Sequence, residues 1–310
     1  MGRAQSRVPS ALGRKLVACL ALWTSLCGAA PAWAASVLLT ASEDSLGVQA
    51  FTQELARQRP MDNVRFVALH DLPAPSRLPS NTRLILLDPP SLDWRLQDAQ
   101  GPWTLVLRIS RLQAEKHPVI SRTPRLSLLW SDPPLARQLR LIQSVLPQAR
   151  RVGVLYSAHS EFLLKELGSA AAHLGLEIVA ERWDSTADSR PLQALLKNSD
   201  VLLGLDDPLL YNPKTAKNLL LSSYARHLAL VGPNAGFVKA GSLVSTYSDQ
   251  QDWLHTLNSL LDQPPVRWPG ALYPTNFKVL SNPQVARSLG IEEIDETSVA
   301  RRLAEGEQRP

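Results

Sequence analysis

The chain has 310 residues, 45% of them hydrophobic and 20% charged, with two cysteines and a net charge of +5. A chain of this size buries enough surface to fold without disulfide staples. The charge and the cysteines both trace largely to the first 34 residues, which narrows what they can mean.

Residues 1–34 carry Arg3, Arg7, Arg14 and Lys15 and no acid, then an apolar stretch over 16–30, then Ala32-Trp33-Ala34. This pattern predicts a secretory signal peptide cleaved after Ala34, and hence a periplasmic protein. The apolar run of about 15 residues is short of the roughly 20 that span a bilayer. The run ending at Cys19 resembles a lipoprotein box, but it follows the basic residues directly with no apolar run before it. Without the segment, 29 Lys and Arg face 28 Asp and Glu, a net of about +1. Such a balance gives no support to nucleic-acid binding. Cys19 and Cys27 leave with the segment, which excludes disulfides, thiolate chemistry and Cys–Zn sites from the exported chain. No later apolar run approaches spanning length.

Short apolar runs predict strands at 37–40, 64–68, 84–87, 103–107 and 126–130, with a helix over 45–59. The proline-rich connection 71–82 reads as a surface loop, and the stretch around Trp94 as irregular. Leu135, Leu139, Ile142 and Val145 share one face of a helix opened by Pro133-Pro134 and closed by Pro147. The clearest part of the chain is 151–247. Strands are predicted at 151–156, 176–180, 200–206, 229–232 and 241–247, and helices at 161–174, 192–196 and 215–228. Helix 250–261, strand 273–279, helix 282–289 and a helix from 292 to about 303 follow. Alternating strands and helices with short connections predict doubly wound parallel sheets. Ligands bind such sheets at the carboxyl ends of the strands. Here those ends are Ser157, Asp206-Asp207 and Asn234.

Each candidate has two readings. An acid at 206 or 207 could accept a bond from a solute ammonium, or cap the turn at Leu209 and Leu210. Ser157 could donate to a carboxylate or serve as an N-cap. Asn234 could bridge a cleft or cap the turn at Ala235. Tyr247 could stack on a flat ligand or pack as a hinge residue. The six histidines are scattered, with His159 alone near the Ser157 loop, so no metal site is expected. No nucleophile elbow, zinc-protease, P-loop or dinucleotide motif is present, and adjacent acids diverge too far to flank a scissile bond. No enzyme and no cofactor is expected.

The segments PLARQLRLIQSVLP (134–147) and ARRVGVLY (149–156) resemble a family of ABC-transporter substrate-binding proteins with the type I periplasmic-binding fold, a family that includes tryptophan- and tyrosine-binding members. The likeness continues through AAHLGL (171–176), AGSL (240–243) and VLSNPQVARSLGI (279–291). It covers 131–303 well and the preceding region in outline. It implies two α/β lobes around a cleft: residues 35–149 and 244–272 in lobe one, residues 150–243 and 273–303 in lobe two, and a tail at 304–310. Crossings are expected near Arg150, Val244 and Tyr273. Carried over onto this sequence, the ligand loops fall on Ser42, Glu43, Ser157, Asp206, Asp207, Asn234 and Tyr247. The implied function is delivery of a small polar or zwitterionic solute by a monomeric protein to an inner-membrane ABC permease. The alternative is a binding-fold protein that reports to a membrane sensor or envelope assembly.

Overall fold

Runs of Val, Leu and Ile bounded by polar turns form most of the strands in the computed structural model, which describes residues 1–2 and 35–308. In chain order the first group is β1 (Ser36–Thr40), α1 (Leu46–Gln58), β2 (Asn63–Phe66), β3 (Thr82–Leu86), α2 (Pro89–Leu96), β4 (Trp103–Ile109), α3 (Arg111–Glu115) and β5 (Leu126–Trp130). The second group is α4 (Leu135–Val145), β6 (Arg151–Tyr156), α5 (Leu163–His173), β7 (Glu177–Arg182), α6 (Arg190–Asn198), β8 (Val201–Leu203), α7 (Pro213–Tyr224), β9 (Leu230–Val231), α8 (Ala235–Ala240) and β10 (Val244–Tyr247). Then come α9 (Gln250–Leu261), β11 (Ala271–Leu272), β12 (Lys278–Ser281), α10 (Pro283–Ser288) and α11 (Glu296–Gln308).

The strands make two six-stranded sheets. One runs β11-β5-β4-β3-β1-β2 and is parallel throughout. The other runs β12-β10-β9-β8-β6-β7 and is parallel except where β12 meets β10. Helices cover both faces of each, so successive residues of the central strands are mostly buried and those strands read as continuous apolar runs, whereas the edge strands β2 and β7 are partly exposed. On one face of the first sheet, Leu39, Ile85 and Leu105 meet Trp253, Leu254 and Leu257 of α9. On the other face, Leu38, Leu84 and Val106 pack with Leu92 of α2. In the second sheet Val152, Val154 and Val201 pack in one core with Leu139 of α4, Leu167 of α5 and Leu303 of α11, and Leu202 and Leu230 lie in another with residues of α6 and α7. The architecture is a two-lobed α/β fold, as the alternation of elements predicts.

Several boundaries differ from the sequence reading. Helix α4 belongs to the second lobe, because Leu135, Leu139 and Ile142 are buried in the same core as Val152 and Val244. The first crossing is therefore residues 131–134, ahead of the expected Arg150. Strand β10 pairs with β9 and β12 in the second sheet, so the second crossing follows Tyr247 and the expected switch at Val244 is too early. The single strand expected over 273–279 is two short strands in different sheets, and residues 273–277 cross between them. The tail expected from 304 is helical through Gln308. Arg137 explains this: its buried guanidinium takes both carboxylate oxygens of Glu307, at 2.5 and 2.9 Å, and stacks 3.7 Å from the Phe277 ring. Helices α2 and α3 were not expected. Asp88 caps α2 through the Ser91 amide, with Pro89-Pro90 in its first turn, and Ser110 with Gln113 forms a capping box for α3. The predicted signal peptide, its cleavage site, Cys19 and Cys27 lie outside the described residues.

Gly153 sits in the middle of β6, where a Cβ would collide with Ser199 and come within 2.8 Å of Leu202 Cδ2. Both neighbours belong to the packed interior of the second lobe. Gly153→Ala should cost about 1–3 kcal/mol through overpacking, read as a lower denaturation midpoint at unchanged slope.

Candidate functional site

The carboxyl ends of both sheets open on the region spanned by the three crossings. A cavity of about 380 Å³ lies there, lined from the first lobe by Arg108, Ser110 and Lys116 and from the second by His159, Asp206 and Leu209. A neighbouring cavity of about 280 Å³ on the first-lobe side is lined by Val48, Phe51, Asp249 and Trp253 and shares Arg108. A larger groove, about 770 Å³, lies at the opposite end of the second sheet, against Ala149, Asp200 and Ala229, where strands begin. Parallel sheets bind ligands at the other end.

Of the predicted residues, Asp207 is the most constrained. It is buried and accepts from the Ser157 hydroxyl at 2.6 Å, the Ser160 hydroxyl at 2.7 Å and the Leu209 amide at 3.0 Å. Its carboxylate thus ties the end of β6 to the end of β8, and it takes the capping reading. Ser157 is spent on the same network; its oxygen also accepts from the His159 amide at 3.1 Å. His159 meets Ser157 through its backbone and not its ring, so the two are not set up for nucleophilic catalysis. Asn234 caps α8 by accepting from the Phe237 amide at 3.1 Å. Ser42 donates its amide at 2.6 Å and its hydroxyl to Asp88, joining the ends of β1 and β3. Glu43 is exposed on the same loop, and Tyr247 pairs with Lys278 across β10 and β12. Ser42, Glu43, Ser157, Asn234 and Tyr247 lie outside the lining of the larger cleft cavity, which of the predicted residues holds Asp206 and Asp207.

Asp206 takes no part in that network. It is half-buried on the cavity wall. Burial raises its pKa above the ordinary carboxylate range; the Asn234 side chain opposes the shift and the Asp207 charge adds to it. Across the hinge, Asp132 is pushed up to about 6, chiefly by burial and further by Asp206, while the Arg111 amide, donating at 2.8 Å, works against this.

Sequence reasoning missed the first-lobe side. Arg111 forms a 2.7 Å ion pair with Glu166 of the second lobe and lies 5.7 Å from the Phe162 ring centre. Its neighbour Leu112 is buried within the second-lobe core. The residues that gave this away are Ser110 and Gln113, whose spacing marks a helix start. Arg108 lay just past the predicted strand, in a run with no motif. Among the described residues, no cluster of His, Cys, Asp and Glu could hold a metal ion. What the cavity offers is opposed charge: cations on one wall and a carboxyl on the other, suited to holding a polar molecule by charge-assisted hydrogen bonds.

Two stability effects follow. The folded chain keeps the Asp132 proton up to about pH 6, whereas the unfolded chain loses it near the ordinary 3.8. Ionised Asp132 therefore costs nothing below that lower value, and the cost grows as pH rises towards 6, where it is complete. Asp132→Asn keeps the acceptor for the Arg111 amide. It should stabilise the protein above pH 6 by on the order of 1–3 kcal/mol, a gain that vanishes near pH 4 in melts across that range. Asp207→Ala strands two buried hydroxyls and an amide, and should lower unfolding free energy by about 3 kcal/mol in denaturant titrations.

No family model matches the chain, and no curated protein is similar to it in sequence. Solved structures are similar to it in fold. One is an ABC domain in complex with L-Trp from Streptococcus pneumonia, 15% identical with a TM-score of 0.53, the match covering 86% of this chain and 98% of that one. A conserved domain protein from Vibrio cholerae is 17% identical with a TM-score of 0.55, at the same coverage of 86% and 98%. A ligand-free, open substrate binding protein with adhesive properties from Clostridium difficile is 15% identical with a TM-score of 0.63, covering 84% of this chain and 96% of that one. At these identities the likeness speaks to architecture, and the architecture is the type I periplasmic-binding fold.

Proposed function

We propose that the protein is the solute-binding component of an ABC-type importer. It is carried to the periplasm by the leader 1–34, binds a small zwitterionic, amino-acid-like solute between its lobes, and hands it as a monomer to a permease in the inner membrane. The observation that carries this is the cavity of about 380 Å³ at the carboxyl ends of both sheets, with Asp206 on one wall and Arg108 on the other. An ammonium can meet the first and a carboxylate the second. A similar fold with L-Trp bound adds support for the solute class. The protein binds and releases; it does no chemistry and contacts no nucleic acid.

The second reading is a protein that reports to a membrane sensor or envelope assembly. It draws on the internal use of Ser42, Ser157 and Asp207, which leaves fewer strand-end groups free for a solute.

The test is a thermal-melt screen of the exported chain against the common amino acids, followed by calorimetric titration of those that raise the melting temperature. A solute at a hundred times its Kd should add about 2.7 kcal/mol of stability. Asp206→Ala should weaken binding by about 2–5 kcal/mol and leave the melt of the free protein almost unchanged. Failure of every amino acid to shift the melt would transfer the case to the second reading.

A further inference from the structure

Asp132 lies in the first crossing, between β5 and α4. Its carboxylate accepts from the Arg111 amide at 2.8 Å. The Arg111 guanidinium reaches further. It donates to the Tyr273 hydroxyl of the third crossing at 3.5 Å, pairs with Glu166 of α5 at 2.7 Å and lies 5.7 Å from the Phe162 ring centre. Two of the crossings and both lobes therefore meet around one carboxyl and one guanidinium.

The charged and titratable groups that face Asp132 divide by lobe. Arg111 follows β4 of the first lobe, so its amide bond to Asp132 stays in place when the lobes part. Tyr273 belongs to the third crossing, and its hydroxyl stays neutral because burial and the Asp132 charge push it up to about 12. Asp206 lies just past β8 in the second lobe, and its charge opposes ionisation of Asp132 from across the hinge. Glu166 is also a second-lobe group, and it draws on the same guanidinium.

Parting the lobes changes three things around Asp132. Water returns to a half-buried carboxyl, the Asp206 charge recedes, and Arg111 is released from its competing acid. Each of these favours the carboxylate over the acid. The carboxyl that titrates near 6 with the lobes together moves back towards the ordinary 3.8 with them apart. The closed form therefore binds the proton more tightly, so acid favours closure, and closure weakens as pH rises towards 6.

We infer that Asp132 is a proton-operated switch on the lobes: protonated it lets them close, and ionised it drives them apart. The switch belongs to the hinge itself and operates whether or not the cleft takes a solute.

The experiment measures the distance between one dye on each lobe of the whole exported chain, without solute, from about pH 5 to about pH 7.5. Gln53→Cys of α1 and Lys197→Cys of α6 are exposed attachment points, and residues 35–310 contain no cysteine of their own. The ratio of parted to closed molecules should rise about tenfold across that range. Asp132→Asn, which keeps an acceptor for the Arg111 amide, should abolish the rise and hold the acid distribution at every pH. Asp206→Asn should shrink the rise. Glu166→Gln breaks the ion pair and leaves Asp132 in place, so it should raise the parted fraction at every pH and keep the upward trend. Thermal melts check that each variant is folded, and Asp206→Asn carries the test if the Asp132 variant is not. A distance that does not change with pH overturns the inference. So does a rise that persists in Asp132→Asn, as titration of His159 in the cavity would give, or one undiminished in Asp206→Asn.

Discussion

A parallel sheet gathers the carboxyl ends of all its strands at one edge, and every chain segment that leaves those ends must be capped there. In this protein two such edges face each other across three crossings. The groups available to cap the turns and the groups available to meet a ligand are therefore drawn from the same few positions. Most of the local structure of the cleft is the outcome of that competition. Asp207 shows it most plainly. Its carboxylate satisfies two hydroxyls and an amide and joins β6 to β8, while Asp206 is the less buried member of the pair.

The competition also decides what a reader of the sequence could see. The apolar runs and helix faces place nearly all the strands, because both faces of each sheet are covered and burial leaves a continuous signal. The strand-end positions Ser42, Ser157, Asp206, Asp207 and Asn234 are visible for the same reason. Which of them cap and which remain free is not visible, since Ser, Asn and Asp serve both roles with the same atoms. Arg108 was illegible for a different cause. Its place depends on a bulge, and a bulge is a property of two strands in register, β4 and β5, that are separated by a helix and a loop.

The boundaries between lobes were misplaced for reasons of range. Helix α4 is amphipathic wherever it packs; its membership in the second lobe is set by Val152, Val244 and Leu303, which its own sequence does not mention. Gln138 adds a polar anchor there, bonding Gly232, Ser245 and Thr246 from within the core. Likewise residues 273–277 read as part of a strand although the flanking segments 271–272 and 278–281 are strands of different sheets.

Helix α3 carries one further consequence. It is a first-lobe element whose Arg111 and Leu112 are both held by the second lobe, one by Glu166 and the other by the core. If the cleft is a solute site, parting the lobes means separating that ion pair and drawing Leu112 out of its apolar surroundings. The pair is partly exposed, with 16% and 49% of the two side chains accessible, so added salt weakens it. Screening would then act twice on the kinetics of entry and in opposite directions. It dulls the attraction of the cleft charges for a charged solute, and it loosens the ion pair that joins the lobes. The association rate would pass through a maximum with ionic strength where steering alone gives a steady decline, and stopped-flow measurement across a salt series would show which shape holds.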